Sequence, residues 1–173
     1  MNLHNFVELC MCPAPLGNEY AAKQLIRSML PNGLEISEDV AGSAIVRKPG
    51  EKPGLTFFAS LSQPVVLVTG KKADGAWELQ PLGTGKTLEP MNGWKVMDSS
   101  GAQAKLEVKD GELRLTEDKG VQIGSLLTRQ PDWTQDALSV SCAGIEDRVG
   151  CWLLTELLRE MPDVKAEITC IFL

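Results

Sequence analysis

Histidine is almost missing from this sequence: His4 is the only one in 173 residues. No Ser/His/Asp triad is credible on that count, and the imidazole that most zinc sites use is unavailable at every other position. His4 itself reads as a partly exposed helix residue. Positive charge is also short. Seventeen Lys and Arg stand against twenty-three Asp and Glu, giving a formal charge of −6 and a pI near 4.9. Phosphate backbones need a basic face, so nucleic acid is excluded as a partner. No apolar run approaches the ~20 residues of a membrane-spanning helix. The first residues lack the basic segment and apolar stretch of a secretory signal. The expectation is a soluble cytoplasmic protein with no membrane partner. Cysteine occurs as an odd set, Cys10, Cys12, Cys142, Cys151 and Cys170. Their spacing matches neither a disulfide framework nor a paired Cys-x-x-Cys zinc site. They read as core fillers or reduced thiols.

What is present falls into three stretches. Leu3, Phe6, Val7 and Cys10 recur at helical spacing and predict a short first helix, stopped by Pro13-Ala14-Pro15. A second helix follows, with Asn18 as its N-cap, an apolar stripe of Ala22, Leu25, Ile26 and Met29, and Lys23, Gln24 and Arg27 facing out. Strands are expected over 34–40 and 43–48, then a loop over 49–53. Leu55 to Ala59 is a compact apolar run that predicts a strand buried on both faces. From about Val65 to Ser139 the strands shorten, glycine marks the turns, and no helix is expected. The clearest hairpin there joins 104–108 to 113–115 through Asp110-Gly111. Such a stretch reads as a small β-barrel or sandwich. Helical periodicity returns over 147–161, with Val149, Trp152, Leu153, Leu157 and Met161 on one face. Pro162 is expected to end that helix, and 166–173 forms a final apolar strand. Trp152 belongs to the helix face. Trp77, Trp94 and Trp133 suit either the core of the β segment or its contact surface.

Three motifs in this order resemble a known family. Pro13-Ala14-Pro15 with Gly17-Asn18-Glu19 is similar to an opening Pro-Ser-Gly-Glu-like turn. Glu38-Asp39 followed by Gly42-Ser43 is similar to an Asp-x-x-Gly-Asn strand turn. Glu146-Asp147-Arg148-Val149-Gly150 is similar to an Asp-Asp-Arg-x-Gly turn. The sequence thus resembles the amino-terminal half, β insert included, of the glutamyl-aminopeptidase family, the TET-type and endoglucanase-like dinuclear metallopeptidases of clan MH. The resemblance implies a truncated peptidase-like α/β layer, residues 1–64 with 140–173, interrupted by an all-β barrel or sandwich insert, residues 65–139.

It also implies a site. Those peptidases hold two metal ions that activate a water. They need a bridging carboxylate, outer histidine and carboxylate ligands, and a general base. Where the family carries Ala-His-x-Asp this sequence has Ala59-Ser60-Leu61-Ser62, so Ser60 replaces the histidine and Ser62 the aspartate. A neutral hydroxyl is a poor zinc ligand. The bridging aspartate aligns with Glu146, whose extra methylene displaces the carboxylate, and Asp147 matches the second acid of the turn. The remaining ligands and the general base fall beyond the last strand. Glu146 and Asp147 are therefore the candidate metal residues, and the same two acids also suit the first turn of a helix. No cofactor is expected, a divalent zinc or cobalt ion being the one alternative.

A second motif is a decoy. Leu82-Gly83-Thr84-Gly85-Lys86-Thr87 ends like a P-loop, but Gln80 stands where the pattern needs glycine, and Pro90 and Asn92-Gly93 deny it the following helix. The reading is a protein derived from the aminopeptidase family, inactive alone, acting as an interaction or scaffold protein. It is expected as a homo-oligomer or with an obligate protein partner. The alternatives are one half of a split metal-dependent aminopeptidase completed by another chain, and a small-ligand module using the old cleft.

Overall fold

The computed structural model describes residues 2–83, 88–161 and 164–173. Helix α1 (Leu3–Met11) is capped by the Asn2 side chain, which accepts from the His4 N–H at 3.0 Å, and it buries Phe6, Leu9 and Cys10. Helix α2 (Tyr20–Met29) buries Ala22 and Ile26. Its N-cap is Glu19, not Asn18, and no side-chain oxygen caps it. Three strands follow, β1 (Glu35–Glu38), β2 (Ala44–Lys48) and β3 (Glu51–Ala59). The chain then builds the β segment, β4 (Val65–Lys71), β5 (Trp77–Leu82), β6 (Lys95–Met97), β7 (Gln103–Lys109), β8 (Glu112–Lys119) and β9 (Leu126–Arg129), with a 3₁₀ turn at Glu89–Met91. A two-strand ladder, β10 (Thr134–Gln135) and β11 (Val140–Ser141), leads into α3 (Ile145–Glu160) and the last strand, β12 (Ala166–Phe172). The P-loop-like residues 84–87 and the helix-ending Pro162 lie outside the described residues.

The first sheet has the order β1-β2-β12-β3. β12 slots between two strands laid down more than a hundred residues earlier, antiparallel to β2 and parallel to β3. Its alternation sets the layers. Ile168, Cys170 and Phe172 are buried against the helices with Leu9, Ala14, Ile26, Val46, Leu61 and Leu158, while Thr169 and Ile171 point to the opposite face. Each large apolar side chain so buried contributes about 1.5–3 kcal/mol.

Two expectations are corrected here. Lys23 does not face out: its side chain is 12% exposed, and its ammonium donates to Glu38 at 2.5 Å and to the Gly42 carbonyl at 2.9 Å. The apolar run 55–59 is not buried on both faces. β3 begins at Glu51, taking in residues expected to be a loop, and it is the outermost strand. Leu55, Phe57 and Phe58 are exposed, Phe58 at 64%. An unbroken apolar run gives no sign of how many neighbours a strand has, and among the described residues β12 is the only one.

The second sheet has the order β5-β4-β9-β6-β7-β8 and curls into a nearly closed barrel around Val66, Val68, Met91, Val96, Leu106 and Leu127. The predicted hairpin is β7–β8, with Asp110 and Gly111 both at positive φ, the requirement of a tight turn whose twist matches its strands. The edge strands β5 and β8 meet through side chains, the Trp77 indole N–H donating to Asp118 at 2.6 Å, and Lys72 in the β4–β5 turn pairs with Glu112 at 3.1 Å. The structure is thus α/β at both ends with an all-β insert between. No helix among the described residues is long and apolar enough to cross a membrane.

Candidate functional site

The end of β3 carries the residues that the motifs single out. Beyond Ala59 the chain leaves the sheet edge at Ser60, and residues 61–63 are stitched to the segment that joins α1 to α2. The Gln63 N–H donates to the Ala14 carbonyl at 2.7 Å, and the Leu16 N–H donates to the Gln63 carbonyl at 3.0 Å. The Gln63 side-chain oxygen accepts from the Ala14 N–H at 3.2 Å. This stitching leaves no room at Gly144, where a Cβ would sit 2.3 Å from the Gln63 amide nitrogen. Gly144 has φ +71° and is the N-cap of α3.

The acids of the turn follow directly. Glu146 and Asp147 lie in the first turn of α3, where negative charge complements the exposed N–H groups. The N-cap itself is Gly144, which makes no side-chain cap bond. Glu146 is exposed to solvent, whereas Asp147 is half-buried. Burial, together with repulsion from Glu146, raises the Asp147 pKa against the opposing pull of Arg148 and a hydrogen bond from Ser60. Ser60 and Asp147 are thus brought together.

Ser62 goes elsewhere. Its hydroxyl donates to a carboxylate oxygen of Glu19 at 2.7 Å, and the Gly17 N–H donates to the same oxygen at 2.7 Å. These groups line a small pocket of about 220 Å³ with Lys23, Gly42, Ser43, Leu61 and Leu173. The neighbouring turn is rigid by its own bonds: Asp39 accepts from the Ala41 and Ser43 N–H groups at 2.9 and 2.8 Å, which lower its pKa.

Sequence reasoning missed the residue that organises this region. Arg148 is fully buried. Its guanidinium donates to the Leu61 carbonyl and, at 3.2 Å, to the Cys12 carbonyl, while its Nε finds no partner among the described residues. Burial lowers its pKa. The signal was an arginine among apolar residues at the start of a helix. It clamps the two loops that carry Ser60, Ser62 and the α1–α2 link.

The donor set does not suit a dinuclear metal centre. Ser60 lies beside Asp147, Ser62 donates to Glu19, and Glu146 is exposed to solvent. Among the described residues no group of three His, Cys, Asp or Glu side chains is placed to hold an ion.

The architecture defines a class of fold: a peptidase-like α/β layer with a β insert. No family model matches the sequence, and no curated protein matches it. Solved structures do. An endoglucanase from Thermotoga maritima superposes with a TM-score of 0.81 at 20% identity, over 97% of this chain and 58% of its own. A TET aminopeptidase from a marine-sediment Thaumarchaeota archaeon gives 0.83 at 14% identity, over 98% and 58%. The Pyrococcus horikoshii TET1 peptidase, which can assemble into a tetrahedron or a large octahedral shell, gives 0.79 at 16%, over 98% and 60%. The chain therefore has the fold of these peptidases and spans about three-fifths of their length.

Proposed function

We propose that this chain is an interaction protein built on an aminopeptidase fold, without peptide-hydrolase activity of its own. The observation that carries the reading is the hydrogen bond from Ser62 to Glu19 at 2.7 Å. Of the positions where the family resemblance places ligands, Ser62 bonds to Glu19, Ser60 and Asp147 lie together, and Glu146 is exposed to solvent. The peptidase-like unit is 1–64 with 140–173, the insert is 65–139, and the protein works in the cytoplasm as an oligomer or with a protein partner. The oligomeric TET structures of the same fold support the last point.

The test is elemental analysis after dialysis against zinc and cobalt, run beside hydrolysis of aminoacyl-p-nitroanilides. No retained metal and no turnover are expected. Two ions held per chain, with turnover, would overturn the reading.

The aminopeptidase structures of the same fold support a second reading, a split aminopeptidase completed by another chain. Turnover appearing only when a second polypeptide is added would select it.

A further inference from the structure

Phe6, Cys10 and Cys142 form a buried cluster of their own, walled by Trp133, Ile145 and Trp152. It joins the end of α1 to the turn between β11 and α3, and its two cysteines are 132 residues apart in the chain. The Cys142 thiol donates to the Cys10 carbonyl at 3.7 Å, and the two thiols also interact directly, side chain to side chain. The other cysteines are engaged elsewhere. Cys12 donates to the Pro13 carbonyl at 3.8 Å, Cys151 donates to the Ser60 carbonyl at 3.0 Å, and Cys170 lies in the core under β12. Among the described residues no third His, Cys, Asp or Glu side chain completes a metal site around the pair. What two adjacent thiols can do is give up two electrons together.

Cys142 is the point of entry. It follows the exposed Ser141, and the β10–β11 ladder ahead of it holds only two residue pairs, so local opening uncovers it at little cost. Its thiolate attacks one sulfur of a small disulfide such as glutathione disulfide. A Cys142–glutathione bond forms, the original disulfide breaks, and the first glutathione leaves as a thiolate that takes up a proton. Burial pushes Cys10 up to about 12, so it takes no part in this first step. In the second it already stands against the Cys142 sulfur, where proximity replaces acidity, and the Arg148 guanidinium favours its thiolate. Cys10 attacks that sulfur and expels the second glutathione. Two protein thiols are oxidised to one disulfide, and glutathione disulfide is reduced to two thiols.

We propose that Cys10 and Cys142 are a reversible oxidation site, closed by a small-molecule disulfide into a bond that locks α1 to the turn ahead of α3. Closing so long a loop restrains the unfolded chain, so the locked form is the more stable one. In a reducing compartment such a bond forms transiently and reports the redox state. The site is independent of the interaction-protein reading.

The test incubates the reduced chain with glutathione disulfide and counts the remaining thiols by alkylation in urea. Three of the five should remain, and peptide mapping should join Cys10 to Cys142. The melting temperature should rise by ~5–10 °C, and dithiothreitol should restore all five thiols. Cys10→Ala should stop with one glutathione held on Cys142, whereas Cys142→Ala should take up none. Cys12→Ala, outside the pair, should oxidise as the wild type does. A wild type that keeps all its thiols, a bond mapped to Cys12 or Cys151, or an oxidised form that melts no higher would each overturn the proposal. Every readout is taken without metal or peptide substrate, so none of them bears on the non-hydrolytic reading.

Discussion

The hydroxyl of Ser62 donates to the carboxylate of Glu19 at 2.7 Å, joining the end of β3 to the start of α2. A hydrogen bond to a charged group contributes about 1.5–3 kcal/mol when shielded, and less where water competes, as at this half-open pocket. Ser62→Ala should lower stability by about 1 kcal/mol in urea denaturation. Ser62→Asp should lower it further, because it sets a second carboxylate against Glu19. Equal losses for the two variants would show that Glu19 does not depend on the donor.

Arg148 is the larger liability. Replacing it with methionine keeps much of the volume but strips donors from two carbonyls, those of Leu61 and Cys12. Buried acceptors left without partners cost about 1–3 kcal/mol each. Removing the buried, partnerless Nε returns part of that. A net loss of about 2–4 kcal/mol is expected. A loss below about 1 kcal/mol would mean that the two loops hold together without the clamp.

At Gly144 the obstacle is steric and conformational at once. Gly144→Ala must place a Cβ against the Gln63 amide at a backbone φ of +71°. The expected cost is about 1–3 kcal/mol, with loss of the Gln63 contact to Ala14. Pairing it with Gln63→Ala should recover the steric part, which a double-mutant cycle measures.

Acid should act through Asp98. Burial pushes this carboxyl up, but hydrogen bonds from the Ser100 and Ser125 hydroxyls and the Ala102 and Ser100 N–H groups outweigh it, and the net pKa is lowered. A carboxylate whose folded pKa is depressed contributes stability above its unfolded pKa of about 3.9 and loses it as pH falls through the folded value. Asp98→Asn should therefore destabilise the barrel at pH 7, and the gap to wild type should narrow below about pH 4. A gap independent of pH would assign the effect to packing.

The thiols should be quiet in the native state. Burial pushes Cys10 and Cys151 up to about 12 and Cys170 up to about 11. Cys12 is half-buried and shifted the same way. Titration with an aromatic disulfide reagent at pH 8 should be slow until urea is added, after which all five react. Fast native labelling at Cys10 or Cys151 would contradict the packing of α1 on α3.

Much of this fold was legible because periodicity reports which face of an element is covered. The stripe of α2, the alternation around Asp110-Gly111 and the last strand came through, whereas α1 exposes Leu3 and buries Leu9, and α3 exposes Val149 and Leu153 and buries Arg148, Cys151, Thr155 and Leu158. Topology did not. Nothing in Leu55-Thr56-Phe57-Phe58 says whether one strand or two will flank it, so an edge was read as a centre. The site was half legible: the motif turns located Ser60, Ser62, Glu146 and Asp147. That Ser62 would turn to Glu19, and that Arg148 would be buried beneath both loops, depends on contacts between segments far apart in sequence. Lys23 went wrong for the same reason, since its partners Glu38 and Gly42 lie on another element.

The placement of β12 also dictates an order of events. Among the described residues β3 has no strand partner until 166–172 have been made and delivered, and β2 has only β1. The barrel strands find most of their neighbours within a short stretch of chain and can close while the first sheet waits. Short-range pairing is faster than long-range pairing, so refolding should show two phases. Barrel signals from Trp77 and Trp94 should lead, and the insertion of β12 should set the slower rate. Until that strand arrives, the apolar segment 55–59 is open on both flanks. The nascent chain is then at its most prone to aggregate, and a chaperone that binds extended apolar segments has its clearest target.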